Sequence, residues 1–252
     1  MKFKRALAAI VAATALALIP AVPSQALTYT YLVGHPMYFP GGSCTGGYTI
    51  VGSSGMFTMT AGHCGSVGNV VRGTDAPFAS VSYKKPTTRG DSLLTTVYAG
   101  VTQLQIIVDP RTGSSPGSNG KVTGVMPSSQ QTSGTLVGKM GITTGWTEGT
   151  VYGTIPWYGR TAICSTAQTR PGDSGGPVWR ADQYGLRAVG MTVAYFESTG
   201  YGCYLPMDQL LAEWGATLPT FPGGALAPAS AGTAAIADLP ELDTTGLVPA
   251  MG

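Results

Sequence analysis

Charged residues and histidine are both scarce in this chain of 252 residues. Only 10% of the residues are Asp, Glu, Lys or Arg, and no run of like charge stands out. The sequence therefore gives little support for binding to nucleic acid or to an anionic membrane surface. Because there are only two histidines, His35 and His63, any chemistry that needs an imidazole has to use one of them.

Long hydrophobic runs are missing as well, apart from one near the start of the chain, Ala6–Ile19. That run is too short to cross a bilayer. Three basic residues precede it and the small residues of Ser24-Gln25-Ala26 follow, so residues 1–26 are predicted to be a secretory signal peptide. We therefore expect a secreted, extracellular protein with no membrane partner after signal cleavage. Its 11 remaining basic residues would face 12 acidic ones.

Helical periodicity is almost absent before residue 206. Short apolar and Thr-rich stretches alternate with turns rich in Gly, Pro, Ser and Asn, a pattern typical of antiparallel sandwiches or barrels. The exception is Pro206–Gly215, which is predicted to be a helix with Pro at its start and Gly at its end. Residues 219–252 are rich in Ala, Pro and Gly, contain no Lys or Arg, and are predicted to be a disordered tail.

The four cysteines are Cys44, Cys64, Cys164 and Cys203. An even number in an exported chain favours disulfides, and the sequence alone leaves three pairings open. A zinc site is the alternative, but the paired Cys-x-x-Cys spacing of such sites is missing. We predict no metal and no other cofactor.

Two motifs carry reactive side chains: Thr60-Ala61-Gly62-His63-Cys64 and Pro171-Gly172-Asp173-Ser174-Gly175-Gly176-Pro177. A serine hydroxyl becomes a useful nucleophile when an imidazole takes its proton and backbone N–H groups bind the resulting oxyanion. The glycines around Ser174 allow a sharp turn that exposes such N–H groups. His63 is the candidate base, whereas His35 is expected to be structural or exposed.

These motifs together resemble those of the chymotrypsin-like serine peptidases, in particular the secreted bacterial streptogrisin and alpha-lytic branch. The resemblance runs from about Tyr31 to Gly215 and implies a peptidase domain over residues 27–218. It implies two packed antiparallel six-stranded β-barrels with a short C-terminal helix, and a serine-type endopeptidase that acts on polypeptides. The implied disulfides are Cys44–Cys64 and Cys164–Cys203. We expect the protein to be a monomer.

The family also has an acid between the two motifs that orients the imidazole. Asp91 is preferred because it directly precedes the apolar run Ser92-Leu93-Leu94, where the family places its acid. Asp75 and Asp109 lie in predicted turns, and Glu148 is the remaining candidate.

Gly172 and Ser174 are expected to supply the N–H groups of the oxyanion hole. Asp173 between them would then be a buried carboxylate, which is costly without a partner. Lys139 is the candidate partner, because Val137–Gly145 resembles the family segment that carries a basic residue for this purpose. A solvent-exposed Asp173 is the alternative.

Val193, Ala194 and Tyr195 match the family strand that lines the substrate pocket and pairs with the substrate backbone. The family has Ser-Gly-Gly at these positions, so Val193 cannot offer a hydroxyl to Asp91 and Tyr195 would narrow the pocket. We hypothesise a restricted pocket that favours small apolar side chains.

Two motifs of other serine hydrolases also occur in the sequence. Gly172–Gly176 matches the Gly-x-Ser-x-Gly elbow of α/β-hydrolases, and Gly90-Asp91-Ser92-Leu93 spells the motif of the GDSL esterases. Both families need a histidine after the serine, and none follows His63. The remaining alternatives are a secreted binding protein on a peptidase fold, with weak or no catalysis, and an esterase without useful proteolysis.

Overall fold

The computed structural model describes residues 29–86, 88–117, 119–220 and 238–252. The predicted signal peptide and residues 221–237 of the predicted tail lie outside the described residues. The strands are β1 (Tyr29–Val33), β2 (Pro36–Phe39), β3 (Gly42–Thr45), β4 (Thr49–Gly52), β5 (Gly55–Ala61), β6 (Val70–Arg72), β7 (Pro77–Lys84), β8 (Ser92–Val97), β9 (Val101–Ile107), β10 (Val122–Val125), β11 (Leu136–Gly141), β12 (Gly145–Trp157), β13 (Arg160–Gln168), β14 (Pro177–Asp182), β15 (Gly185–Phe196), β16 (Tyr201–Pro206) and β17 (Leu247–Pro249). The helix α1 is Met207–Trp214.

The N-terminal half is a seven-stranded sheet with the order β3-β2-β6-β7-β8-β5-β4. Strands β5 and β8 pair antiparallel with Ala61 opposite Ser92. His63 follows the end of β5 and Asp91 directly precedes β8, so this register brings the two residues to the same edge of the sheet. Buried apolar side chains such as Met59 and Leu93 fix the register, because a slip by one residue would turn them out of the core.

The C-terminal half is a closed barrel of six strands, in which β15, β14, β11, β12, β13 and β16 form a ring that β15 and β16 close. Strands β10 and β17 pair with β15 outside this ring, and β1 pairs parallel with β9. The predicted all-β fold is therefore confirmed, and so is the short C-terminal helix. Pro206 precedes α1, and Gly215 ends it with a φ of +56°.

The N-terminal half differs from the expected closed barrel, because β3 and β4 at its two edges do not pair with each other. Backbone N–H groups of β3 instead donate hydrogen bonds to residues outside this sheet. The Thr45 N–H donates to the Ser174 carbonyl over 2.8 Å, and the Ser43 N–H donates to the Gly252 carbonyl over 2.5 Å. The open edge of the first sheet therefore contacts the loop that carries Ser174.

The disulfides Cys44–Cys64 and Cys164–Cys203 are both present, which confirms the implied pairing. The first joins β3 to the 3-10 turn Gly62–Cys64, and the second joins β13 to β16. The sulfurs of Cys44 and Cys64 lie within 4.8 Å of the His63 ring, but disulfide sulfurs have no thiolate to offer a metal.

Residues 238–252 correct the prediction of a disordered tail. Strand β17 pairs antiparallel with β15, and Ala250 is fully buried. The apolar run from Leu247 to Ala250 bonds to an edge of β15 that is otherwise unpaired in the described part of the chain. A run of four residues is too short for its periodicity to predict a strand. Among the described residues, no helix combines the length and the apolar character needed to cross a membrane.

Candidate active site

His63 lies between Asp91 and Ser174 and is within hydrogen-bond distance of both. Its Nδ1 is 2.7 Å from Oδ2 of Asp91, and its Nε2 is 2.7 Å from Oγ of Ser174. Its backbone N–H donates to the other oxygen of Asp91 over 2.8 Å, which fixes the carboxylate against the 3-10 turn. With the ring proton on Nδ1, the imidazole donates to Asp91 and accepts from the hydroxyl of Ser174.

Asp91 is only 1% exposed, and it accepts a further hydrogen bond from Trp157, whose Nε1–H lies 2.8 Å from Oδ2. Trp157 ends β12 and reaches across from the C-terminal barrel. The sequence analysis missed it. The absence of a hydroxyl at Val193 indicated a missing donor for this carboxylate, but nothing local indicated a residue so far along the chain.

The other acidic candidates lie elsewhere. Asp75 is exposed. Asp109 pairs with Arg111 at 3.4 Å; burial opposes its ionisation, but hydrogen bonds from Arg111 outweigh this and lower its pKa. Glu148 accepts a hydrogen bond from the indole of Trp146 over 3.3 Å.

Ser174 lies in a tight loop between β13 and β14. Gly172 and Gly175 have φ values of +101° and +85°, a region that L side chains rarely adopt. A Cβ at Gly175 would also lie 1.8 Å from the hydroxyl of Thr60, so the loop could not pack against β5 with a larger residue there. The N–H groups of Gly172 and Ser174 converge on one oxygen, the carbonyl of Ala250, at 2.7 and 3.0 Å.

Asp173 points away from the cleft into a buried ion pair. Its Oδ2 lies 2.6 Å from Nζ of Lys139, and both side chains are almost fully buried. The hydroxyl of Thr144 donates to Oδ2 and also contacts the lysine, while the N–H groups of Thr143 and Thr144 donate to Oδ1 over 3.0 and 3.2 Å. Burial lowers the pKa of Lys139, and the charge of Asp173 opposes that shift.

Val193, Ala194 and Tyr195 lie in β15 beside Ser174, and all three are buried. The carbonyl of Val193 is 3.3 Å from Oγ of Ser174 and also accepts the N–H of Ala250 over 3.2 Å. The segment that was predicted to bind a peptide backbone therefore pairs with residues of β17 and Ala250.

His35 lies outside this cluster. It packs edge-on against Tyr29 and Tyr31, with ring centroids 6.4 and 6.1 Å away. Burial lowers its pKa.

Comparisons with known proteins concern the sequence and the fold of the chain. No protein-family model matches the chain. Over 205 residues the chain is 31% identical to streptogrisin-C of Streptomyces griseus, a match that covers 76% of this chain and 42% of that protein, so the chain spans less than half of that relative's length.

The solved structures that share the fold include two crystal structures of bacterial proteases. Thermobifida fusca protease A is 28% identical, with a TM-score of 0.62, over 76% of this chain and 100% of that one. Nocardiopsis protease has the same TM-score and the same coverage at 24% identity, which supports the fold alone. In its sequence and in its fold, the chain is similar to the chymotrypsin-like bacterial serine peptidases.

Proposed function

We propose that this protein is a secreted serine endopeptidase in which Ser174 is the nucleophile, His63 the general base and Asp91 the residue that orients the imidazole. The observation that carries the proposal is the unbroken hydrogen-bond chain from Asp91 through His63 to Ser174, with two distances of 2.7 Å. Nucleophile, base and orienting acid within such reach are the signature of nucleophilic catalysis by serine.

In the first half of the reaction, Oγ of Ser174 attacks the carbonyl carbon of a peptide bond while Nε2 of His63 takes the hydroxyl proton. The carbonyl oxygen becomes an oxyanion, which the N–H groups of Gly172 and Ser174 bind. When the tetrahedral intermediate collapses, the C–N bond breaks and His63 returns the proton to the leaving amine. This leaves an acyl group esterified to Ser174.

In the second half, a water molecule gives a proton to His63 and its oxygen attacks the ester carbon. The same two N–H groups bind the second oxyanion, and Ser174 regains its hydrogen as the carboxylic acid leaves. Asp91 stabilises the imidazolium that forms in each half. Its hydrogen bonds from Trp157 and from the His63 backbone hold the carboxylate in position.

A secreted location is part of the proposal. It is supported by the predicted signal peptide over residues 1–26 and by two disulfides, which persist in oxidising compartments. A polypeptide substrate is supported by the pairing that β15 offers to an extended chain.

The rival hypothesis, a binding protein with weak or no catalysis, was motivated by the altered pocket strand Val193-Ala194-Tyr195. The indole of Trp157 donates to Asp91 in place of the hydroxyl that Val193 lacks, which removes one part of that motive.

Hydrolysis of a peptide p-nitroanilide tests the proposal. We expect Ser174→Ala to lower kcat by on the order of 10⁶-fold, because the whole catalytic unit fails with its nucleophile. The matched control is Ser82→Ala, whose hydroxyl bonds only to Thr96 on the exposed face of the first sheet and whose loss should leave kcat unchanged. Equal activity of the two variants would contradict the role of Ser174.

A further inference from the structure

Residues 246–252 run through the proposed catalytic cleft, and Leu247–Pro249 among them form the strand β17. Strand β17 pairs antiparallel with β15. The same register continues beyond both ends of β17. The Glu197 N–H donates to the Gly246 carbonyl over 2.9 Å, and the Ala250 N–H donates to the Val193 carbonyl over 3.2 Å. Hydrogen-bonded and non-hydrogen-bonded positions alternate in such a ladder, so Pro249, which has no N–H, occupies a position that requires none.

The carbonyl of Ala250 is held as a reacting carbonyl would be. It accepts hydrogen bonds from Gly172 and Ser174 at 2.7 and 3.0 Å, within the range expected of oxyanion-hole donors. Both Ala250 and Ser174 are completely buried. Ala250 therefore covers the proposed nucleophile and its N–H donors, which a peptide from solution cannot reach.

The chain is also anchored beyond Ala250. The N–H of Gly252 donates to the Ser43 carbonyl over 3.1 Å, and the Ser43 N–H returns a bond to the Gly252 carbonyl over 2.5 Å. A Cβ at Gly42 would lie 2.4 Å from that same carbonyl, so the close approach needs glycine there. Residues on both sides of the bond from Ala250 to Met251 are therefore held, as they would be in a peptide bound across the catalytic serine.

From this arrangement we propose that residues 246–252 are the enzyme's own inhibitor, bound as a substrate is, with Ala250 in the place of the residue whose carbonyl Ser174 attacks. The inference rests on the proposed function and adds a substrate class to it. Because the methyl group of Ala250 is fully enclosed, the site takes peptides with a small apolar residue before the bond that is cut.

The inhibition is competitive. The segment uses the edge of β15, both oxyanion N–H groups and the backbone of Ser43, which an incoming peptide needs as well. A segment tethered to its own binding site acts at an effective concentration on the order of mM, so an external substrate has to outcompete it.

The first test measures binding without catalysis. In Ser174→Ala protein, Ala250→Arg should expel the segment, because an arginine cannot occupy the enclosed position. Val248→Pro should do the same by removing an N–H from a hydrogen-bonding position of the ladder. Thr244→Arg is the matched control, since that side chain is exposed and lies just before the pairing begins.

The probe is a fluorescent peptide with the sequence of residues 246–252, Gly-Leu-Val-Pro-Ala-Met-Gly. We expect it to bind the Ala250→Arg and Val248→Pro proteins at least tenfold more tightly than the Thr244→Arg protein and the Ser174→Ala parent. Equal affinity for all four proteins, or no binding to any, would overturn the inference.

The second test restores Ser174 and follows hydrolysis of Leu-Val-Pro-Ala p-nitroanilide. Ala250→Arg and Val248→Pro should raise kcat/KM at least tenfold over the parent and over Thr244→Arg, mainly through a lower KM. The Leu-Val-Pro-Lys and Leu-Val-Pro-Phe p-nitroanilides should react at least tenfold more slowly, and faster reaction of either would refute the substrate class. If the peptide binds as expected but no variant hydrolyses any substrate, the proposed function is wrong while the occupied cleft stands.

Discussion

Asp91 illustrates at the scale of a single residue how this site is built. Its buried carboxylate accepts one hydrogen bond from the backbone of His63, one from the imidazole and one from the indole of Trp157. Hydrogen bonds to a charged group are worth about 1.5–3 kcal/mol each, which keeps a buried carboxylate oriented. The indole thus donates the hydrogen bond to Asp91 that a hydroxyl at position 193 would have donated.

Replacing Trp157 tests this role. Trp157→Phe removes the N–H and keeps an aromatic ring, so we expect kcat to fall about 10- to 100-fold with KM little changed, as the loss of one charge-assisted bond implies. Steady-state kinetics on the peptide p-nitroanilide measure it.

Trp214→Phe is the matched control, because the indole of Trp214 donates to Oγ of Ser92, next to Asp91, over 3.0 Å. It should change kcat less than twofold. An equal loss in both variants would mean that packing, and not the hydrogen bond to Asp91, accounts for the effect.

His35 gives a prediction about stability at the same scale. Burial lowers its pKa below the ordinary value of 6.5. Between the folded value and 6.5 the unfolded chain binds more protons than the folded one, so the free energy of unfolding falls as the pH drops through that interval. His35→Phe removes this contribution and should flatten the curve of unfolding free energy, measured by urea denaturation, as the pH falls below 6.5. A slope as steep as that of the parent would contradict this assignment.

At the scale of elements, the loop from Arg170 to Gly175 depends on the buried pair of Asp173 and Lys139. The carboxylate fixes the loop by accepting bonds from the lysine and from the N–H groups of Arg170, Thr143 and Thr144. Its neighbours, Gly172 and Ser174, then point their N–H groups into the cleft. In the proposed mechanism, the ion pair thus positions the N–H groups of the oxyanion hole.

Lys139→Met should therefore cost both stability and activity. Removing one partner of a buried ion pair typically costs about 3–5 kcal/mol, because a buried charge is left uncompensated. Arg187→Met is the control, since Arg187 pairs with Asp182 over a similar 2.6 Å on the surface, where such pairs contribute about 1 kcal/mol or less. Urea unfolding of both variants measures the difference, and equal losses would contradict a special role for the buried pair.

Local signals predicted several elements correctly. Pro206 directly precedes α1 and Gly215 directly follows it, because the backbone geometry at the start of a helix favours Pro and that at its end favours Gly. The residues around His63 and Ser174 predicted the proposed base and nucleophile, because a sharp turn beside a nucleophile needs glycine at particular positions. The role of Trp157 and the docking of β17 depend on contacts between distant parts of the chain, and no local pattern encodes either of them.

At the scale of the whole molecule, the site lies where the two halves meet. The first sheet provides His63 and Asp91, and the barrel provides Ser174 and Trp157. The hydroxyl of Thr45 joins them, donating to the Gly172 carbonyl over 2.8 Å and accepting the Ile142 N–H over 2.9 Å. This also explains the open edge of the first sheet, where β3 bonds to the barrel instead of to β4. The all-β class could be predicted from the sequence, but this asymmetry could not.

The proposed nucleophilic character of Ser174 depends on all of these contacts together, and a fluorophosphonate probe tests it directly. The wild-type and Ala250→Arg chains are incubated with the probe, and the adduct is located by peptide mass spectrometry. We predict one adduct, on Ser174, formed faster in the Ala250→Arg chain and at least a hundredfold more slowly after His63→Ala. An adduct on another serine, no adduct in either chain, or a rate that His63→Ala leaves unchanged would contradict the mechanism.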